Sequence, residues 1–366
     1  MSQTSRFIFI DTSTTLTHND VTNKAIGASE YQFYNLLKNL AEKKEVFCFN
    51  FNNNTQKIDN VNYVNIQQII PFQINENDII VFQRFFPNDV NLLNKVINNK
   101  VYVWVHDLTC IEVFVGGNKQ LTPQLHENPS SFKNNILGFF IDKPNVHFIF
   151  PSDAAKSVFV DFFEIYGYNI DSKRLNVIYN ILYPDEFESV KISHDITFNK
   201  YQLVFASAWT KNIRDVIAVF DYIHSKNNQY KLVLMSPGWD TPLFVEYGRE
   251  LKEKYGTSIE ILGPQNKTSY AQVIQSSLCV LTSTFKETFG CVFAEAYYLG
   301  TPVIADIRSG GVCEIIDKDY VVDYRDLESV YQKVCQLSEI RGIMKVKLDE
   351  KFMMDMNIEK WLKILN

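Results

Sequence analysis

Leu281-Thr-Ser-Thr-Phe-Lys-Glu287-Thr-Phe-Gly290-Cys-Val-Phe-Ala-Glu295-Ala-Tyr-Tyr-Leu-Gly300-Thr-Pro302-Val-Ile-Ala-Asp306 is the stretch on which the reading of this chain turns. An apolar strand ends near Ser283 and a loop carries Glu287. A helix opens near Phe289-Gly290 and stops at Gly300, with Pro302 beyond it; Gly just past a helix, then Pro, is a stop signal. A second apolar strand, Pro302 to Ala305, follows. Glu295 falls in the second helical turn, on the face of Cys291 and Tyr298. The N–H groups of the first turn point back toward the Glu287 loop, and that helix end suits a phosphate. Glu295 is flanked by Phe293, Ala294, Ala296 and Tyr297, so its carboxylate needs a partner. One acid in the loop and one in the helix can accept hydrogen bonds from two sets of hydroxyls, with an anion between them.

Outward from this stretch, short apolar runs alternate with helical patterns over nearly the whole chain. Arg6 to Ile10, Glu45 to Phe49, Ile79 to Phe82, Val101 to Val105 and Val146 to Phe150 read as strands, and Gly27 opens a helix to about Lys43. The pattern restarts with Gln202 to Ala206, a helix from Asp215 to His224, and strands at Tyr230 to Met235, Ile259 to Leu262 and Leu278 to Leu281. A β/α alternation of this kind favours parallel sheets covered on both faces. The expected fold class is α/β, with two Rossmann-like doubly wound domains. Residues 1–185 form the first domain and 186–345 the second, and 346–366 hold a terminal helix (Phe352 to Leu365) that packs back on the first. Pro184 and a polar stretch mark the boundary. Ligands of such sheets bind at the carboxyl ends of the strands, so the chemistry belongs in strand-to-helix loops of the cleft between the domains.

Of 366 residues, 46% are hydrophobic and 21% charged, normal for a soluble protein. The net charge of -6 provides no basic field for nucleic acid. No apolar run reaches the roughly 20 residues that span a bilayer, which leaves peripheral membrane contact open. No signal-peptide core follows Met1. The six cysteines (Cys48, Cys110, Cys279, Cys291, Cys313, Cys335) are scattered, several in apolar runs, and read as buried reduced thiols of a cytoplasmic protein. The histidines show no metal-ligand spacing. No Gly-x-Gly-x-x-Gly follows the first strand, which argues against a nicotinamide dehydrogenase.

The segment from Glu287 to Ala305, with seven residues between its acids, resembles the paired-glutamate motif of retaining glycosyltransferases of family four, which have the GT-B fold. Ile261-Leu262-Gly263-Pro264 resembles that family's turn beside the nucleotide base. Gly310 to Ile316 resembles its following loop and helix, and Val177 to Asn180 the segment closing its N-terminal domain. The resemblance implies transfer of a hexose-type sugar from a UDP- or GDP-linked donor, its only co-substrate, to a saccharide or lipid-linked acceptor, without a metal. Glu287 would bind sugar hydroxyls and Glu295 the ribose hydroxyls. Phe289, Gly290 and Cys291 would offer backbone N–H groups to sugar and diphosphate. Lys211 is similar to the family's phosphate-binding lysine, with Ser207 beside the donor. The family's arginine five residues earlier is replaced by Ala206, and Arg214 is the substitute at hand. His106 is similar to a first-domain histidine that reaches the donor sugar, with Asp107 to orient it. Gly27-Ala28-Ser29-Glu30 resembles the glycine-rich turn of the first domain, with Ala28 where a second Gly is usual. Cys110 to Phe140 reads as an acceptor loop. Two other functions fit the same fold: a sugar- or nucleotide-binding protein without turnover, and a nucleotide-sugar epimerase.

Overall fold

The computed structural model describes residues 5–23, 27–84, 90–106, 108, 141, 143–165, 167–187, 198–235, 241–263, 265–285 and 287–365. The chain divides into two compact units, Met1–Asn180 with Asp355–Asn366, and Ile181–Met354. The sequence reading divided at 185/186 and 345/346. Residues 181–185 and 346–354 belong to the second unit because they run side by side there. The Leu182 N–H donates to the Phe352 carbonyl at 3.1 Å, and Leu182 bridges Met353 in parallel register.

In the first unit β1 (Phe7–Ile10), α1 (His18–Asn23), α2 (Ala28–Ala41), β2 (Val46–Asn50), β3 (Gln56–Ile58), β4 (Val61–Asn65), β5 (Ile79–Phe82), α3 (Val90–Val96), β6 (Lys100–Trp104), β7 (Val146–Phe150), α4 (Asp153–Ile165) and β8 (Leu175–Val177) follow one another. Among the described residues the sheet order is β3-β4-β2-β1-β5-β6-β7-β8. The pairings are parallel except for β3 with β4, an antiparallel hairpin closed by Asp59 and Asn60, both at positive φ. β1 is buried along its whole length, as an apolar run in a parallel sheet covered on both faces must be.

The second unit contains β9 (Asn199–Phe205), α5 (Ile213–Lys226), β10 (Lys231–Met235), α6 (Pro242–Tyr255), β11 (Ile259–Leu262), α7 (Lys267–Gln275), β12 (Ser277–Thr282), α8 (Cys291–Tyr298), β13 (Val303–Asp306), β14 (Val321–Val322) and α9 (Leu327–Ile340). Its sheet order is β11-β10-β9-β12-β13-β14, parallel throughout. Leu203, Phe205, Leu232, Leu234, Cys279 and Leu281 of these strands belong to one buried apolar cluster with Val216, Phe220 and Ile223 of α5.

The last helix, α10 (Met354–Leu365), returns to the first unit. Trp361 is fully buried with its ring 4.7 Å from Trp104 of β6, and the Tyr102 hydroxyl donates to the Ile364 carbonyl at 2.5 Å. A 3-10 turn, Glu350–Phe352, precedes the helix, so the terminal apolar pattern from Phe352 is split between two elements.

Candidate active site

The order of the second sheet has a switch point between β9 and β12: from β9 the chain proceeds to β10 on one side and later to β12 on the other. The carboxyl ends of two such strands open a crevice suited to a ligand. Lys211 follows β9 and Glu287 follows β12. Their side chains meet there, with Lys211 Nζ 2.5 Å from Glu287 Oε2. Asn212, the left-handed residue before α5 (φ 54°), donates from Nδ2 to the Ser283 carbonyl at 3.0 Å and ties the two loops together. The Gly311 N–H donates to the Glu287 carbonyl at 2.7 Å, anchoring the acid's backbone to the loop after β13. Glu287 is therefore a fixed, mostly buried carboxylate and Lys211 a half-exposed cation beside it. Ser207, buried directly after β9, sits on the same loop as Lys211.

Gly290 precedes α8 at φ 89° and ψ 69°, with no side chain capping the helix. A Cβ at this position would lie 2.5 Å from the Phe293 ring and 3.0 Å from Val312 Cγ2. The backbone conformation and the crowding both require glycine. Phe289 beside it is buried against Phe352 at 5.6 Å, which sets where the helix begins. Gly290→Ala is expected to cost about 1–3 kcal/mol of folding stability. Urea unfolding of the variant checks this; a midpoint equal to the wild type's would disprove the strain.

Glu295, in the second turn of α8, is held by a residue the sequence reading passed over. Lys267, the first residue of α7, places Nζ 2.7 Å from Glu295 Oε1 and 3.2 Å from Glu186 Oε2. The ammonium also sits over the rings of Phe187 (4.9 Å) and Tyr270 (5.7 Å). Burial opposes its charge, but Glu295 and Glu186 together raise its pKa above the ordinary lysine value. Burial raises the Glu186 carboxyl; Lys267 pulls it down and Glu295 pushes it up again. Gly263 closes β11 four residues before Lys267, so this lysine brings the loop of Gly263 next to the Glu295 face of α8. Nothing in local sequence marks Lys267, whose partners lie on two distant segments.

Arg214 lines a pocket of about 480 Å³ with Trp209, Asp215, Glu246, Tyr247 and Glu250, on the α6 side of α5. The arginine that does enter the strand-end network is Arg308, after β13. It donates to Asp306 Oδ2 at 2.6 Å and Asp215 Oδ2 at 2.9 Å, and Ser283 Oγ donates to the same Asp215 oxygen at 2.9 Å. Its hydrogen bond to Asp306 outweighs burial and raises its pKa. Arg308 is thereby engaged by two carboxylates and braces the loops. One Asp-x-Asp sequence, Asp317-Lys318-Asp319, is structural: Asp317 Oδ1 accepts the Asp319 N–H at 3.0 Å and caps a 3-10 turn. Among the described residues no group of three or more His, Cys, Asp or Glu is arranged to hold a metal ion.

In the first unit the sheet switches direction between β1 and β5. Asp11, at the end of β1, is buried and accepts hydrogen bonds from Ser13, Thr14 and Tyr34. Arg84, just past β5, donates to Glu30 Oε1 at 2.7 Å and to Ser29 Oγ, both in the first turn of α2. Gly27 caps that helix in an extended conformation (φ -66°), so the turn does not depend on glycine's left-handed freedom. His106 follows β6, buried, with its ring 4.0 Å from Trp104. Burial first, and the Arg84 charge second, lower its pKa well below the ordinary value near 6.5. The imidazole is therefore neutral at pH 7. The unfolded state takes up this proton first on acidification, so the stability His106 contributes is complete above pH ~6.5 and is lost as pH falls toward its folded value. His106→Gln is expected to flatten the fall in melting temperature between pH 7 and pH 5; an unchanged pH slope would refute this.

Asp107, Pro264 and the Cys110 to Phe140 segment lie outside the described residues. Cys48 and Cys279 are buried as free thiols, whereas Cys291, Cys313 and Cys335 are only partly buried. The correction has a simple cause: the last three sit near helix ends and helix surfaces, not inside strands. Among the described residues no helix is long and apolar enough to cross a membrane.

Residues 200–339 match the family model described as Glycosyl transferases group 1. No curated protein is significantly similar in sequence. A glycosyltransferase from Rickettsia africae ESF-5 superposes with a TM-score of 0.69 at 14% identity, over 99% of this chain and 98% of that one. WaaG, a glycosyltransferase involved in lipopolysaccharide biosynthesis, gives 0.61 at 14% identity over 98% and 99%. Anabaena Alr3699/HepE, solved in complex with UDP-glucose, gives 0.60 at 14% identity over 98% and 99%. The chain spans only 58% of the GtfA/B complex chain and 57% of the TarM chains that it also resembles. At such identities the structural likeness establishes architecture, and the conclusion is that this chain has the GT-B glycosyltransferase fold, with the group 1 sequence pattern in its second unit.

Proposed function

We propose that this protein is a retaining glycosyltransferase of the family-four, paired-glutamate type. It moves a hexose-type sugar from a UDP- or GDP-linked donor to a hydroxyl of a saccharide or lipid-linked acceptor, without a metal, in the cytoplasm. The observation that carries the reading is the meeting of Lys211 and Glu287 at the switch point of the second sheet, immediately before the Gly290-capped helix. The Anabaena neighbour, solved with UDP-glucose, is consistent with the donor class.

In this reading Glu287 accepts hydrogen bonds from the donor's sugar hydroxyls and Glu295 from its ribose hydroxyls. The base lies by Gly263 and Pro264. Cleavage of the sugar–phosphate bond builds positive charge on the anomeric carbon and negative charge on the diphosphate. Lys211 and the N–H groups of Phe289, Gly290 and Cys291, at the start of α8, stabilise that negative charge. The leaving phosphate helps accept the acceptor's proton on the same face, which retains configuration. Ser207 and the Gly27 turn contribute donor contacts, and neutral His106 exchanges a hydrogen bond with the sugar; these roles rest on the family resemblance. Because Lys211 is already paired with Glu287, it is oriented before the donor arrives, and its cost of ordering is reduced.

The test is a panel of nucleotide sugars read by thermal shift and by release of free nucleotide in the presence of saccharide and lipid-linked acceptors. Turnover of a UDP- or GDP-sugar with an α-configured product from an α-donor is the expected result. Binding with no turnover across the panel would favour the non-catalytic alternative, and conversion of the donor alone would favour the epimerase.

A further inference from the structure

We infer that Lys267 is a positioning residue that aligns Glu295 for the nucleotide's ribose, and that it holds this acid by sharing its charge with Glu186. The inference rests on the ribose role proposed for Glu295 and names the residue that would make that role work.

Glu295 and Glu186 face the same Lys267 ammonium, at 2.7 and 3.2 Å, and the Glu295 charge pushes the Glu186 carboxyl up. The side chains are mostly withdrawn from water: Glu295 is 16% exposed and Glu186 26%. A carboxylate in such a place needs the cation beside it to offset its burial. Lys267 is itself fixed from three directions. It begins α7, whose N-cap Asn266 accepts the Ser269 N–H at 2.9 Å, and it rests on the rings of Phe187 and Tyr270. Phe187 in turn packs on Tyr298, one turn beyond Glu295 on α8, at 5.6 Å. Lysine, both acids and both aromatic rings thus form one rigid cluster within the second unit. Its consequence for a ligand is specific. A Glu295 carboxylate held in one orientation accepts strong hydrogen bonds from a vicinal pair of ribose hydroxyls, whereas a rotated one does not. Lys267 reaches Glu295 through Oε1, so the lysine sets the carboxylate plane without any contact of its own to the nucleotide.

The experiment compares UDP and GDP with 2′-deoxy-UDP and 2′-deoxy-GDP by calorimetry, using the full chain. For the wild type the ribonucleotide is expected to bind about tenfold more tightly than its deoxy counterpart, the size of one charge-assisted hydrogen bond. Lys267→Met should remove most of that preference while binding of the deoxy nucleotide stays nearly constant. Lys267→Arg, which keeps the cation, should restore it. With turnover as readout, Lys267→Met should raise the donor KM more than it lowers kcat. Circular dichroism identifies a variant that fails to fold, in which case the Arg variant and the wild type still decide. A wild type that prefers the ribonucleotide and a Lys267→Met variant that prefers it equally would overturn the inference and leave the Glu295 assignment standing. A wild type with no preference, or with no binding of either pair, would overturn the assignment of Glu295 itself.

Discussion

Lys211→Ala and Glu287→Ala should each lower kcat/KM by about 10²–10³-fold, the loss typical of removing one group aimed at developing charge. The double variant should be little worse than either single one. The two side chains are in direct contact at 2.5 Å, and groups that act as a unit are not additive. The same substitutions should barely change folding stability, because Lys211 is 42% exposed and an ion pair with one solvated member contributes little to it. That contrast separates a site from a strut. Initial-rate kinetics on the three variants, beside their urea midpoints, give the answer. Multiplicative losses of activity would mean that the residues act independently, and a large loss of stability would mean that the pair is structural.

Trp361→Ala should destabilise the first unit by about 3–5 kcal/mol, the usual cost of truncating a buried tryptophan. Trp361 is completely buried, with its ring against Trp104, and Trp104 in turn lies 4.0 Å from the His106 ring. The substitution therefore opens a void beside the strand that leads to His106. Calorimetry should show the transition of the first unit moving down while that of the second, which has its own core, stays in place. A shift corresponding to less than about 1 kcal/mol would show that the helix is not integral to that core.

Much of the fold could be read in advance because parallel strands buried on both faces must be apolar, and runs such as Phe7–Ile10 and Ile79–Phe82 carry that requirement on their surface. The hairpin of β3 and β4 escaped notice. Its strands are short and rich in Asn and Gln, and its turn is Asp59-Asn60, where a glycine signal is more usual. The site divides in the same way. Glu287, Gly290 and Glu295 lie within one local motif, so spacing alone placed them around one helix start. Lys267, Glu186, Arg308 and Arg84 are isolated charges whose meaning comes from partners far along the chain.

The return of α10 to β6 has a bearing on how the molecule is made. As the polypeptide emerges during synthesis, Tyr102 and Trp104 appear early, but the Trp361 ring that packs on Trp104 and the Ile364 carbonyl that accepts from Tyr102 are added only after residues 181–354 have been translated. The C-terminal half can thus complete its core before the N-terminal half does, reversing the usual vectorial order. Throughout that interval the Trp104 indole lacks one of the rings that pack on it and the Tyr102 hydroxyl lacks its acceptor. A frameshift or early stop between Asn180 and Trp361 would leave the N-terminal half in that unfinished condition, even though all the strands of its sheet are present.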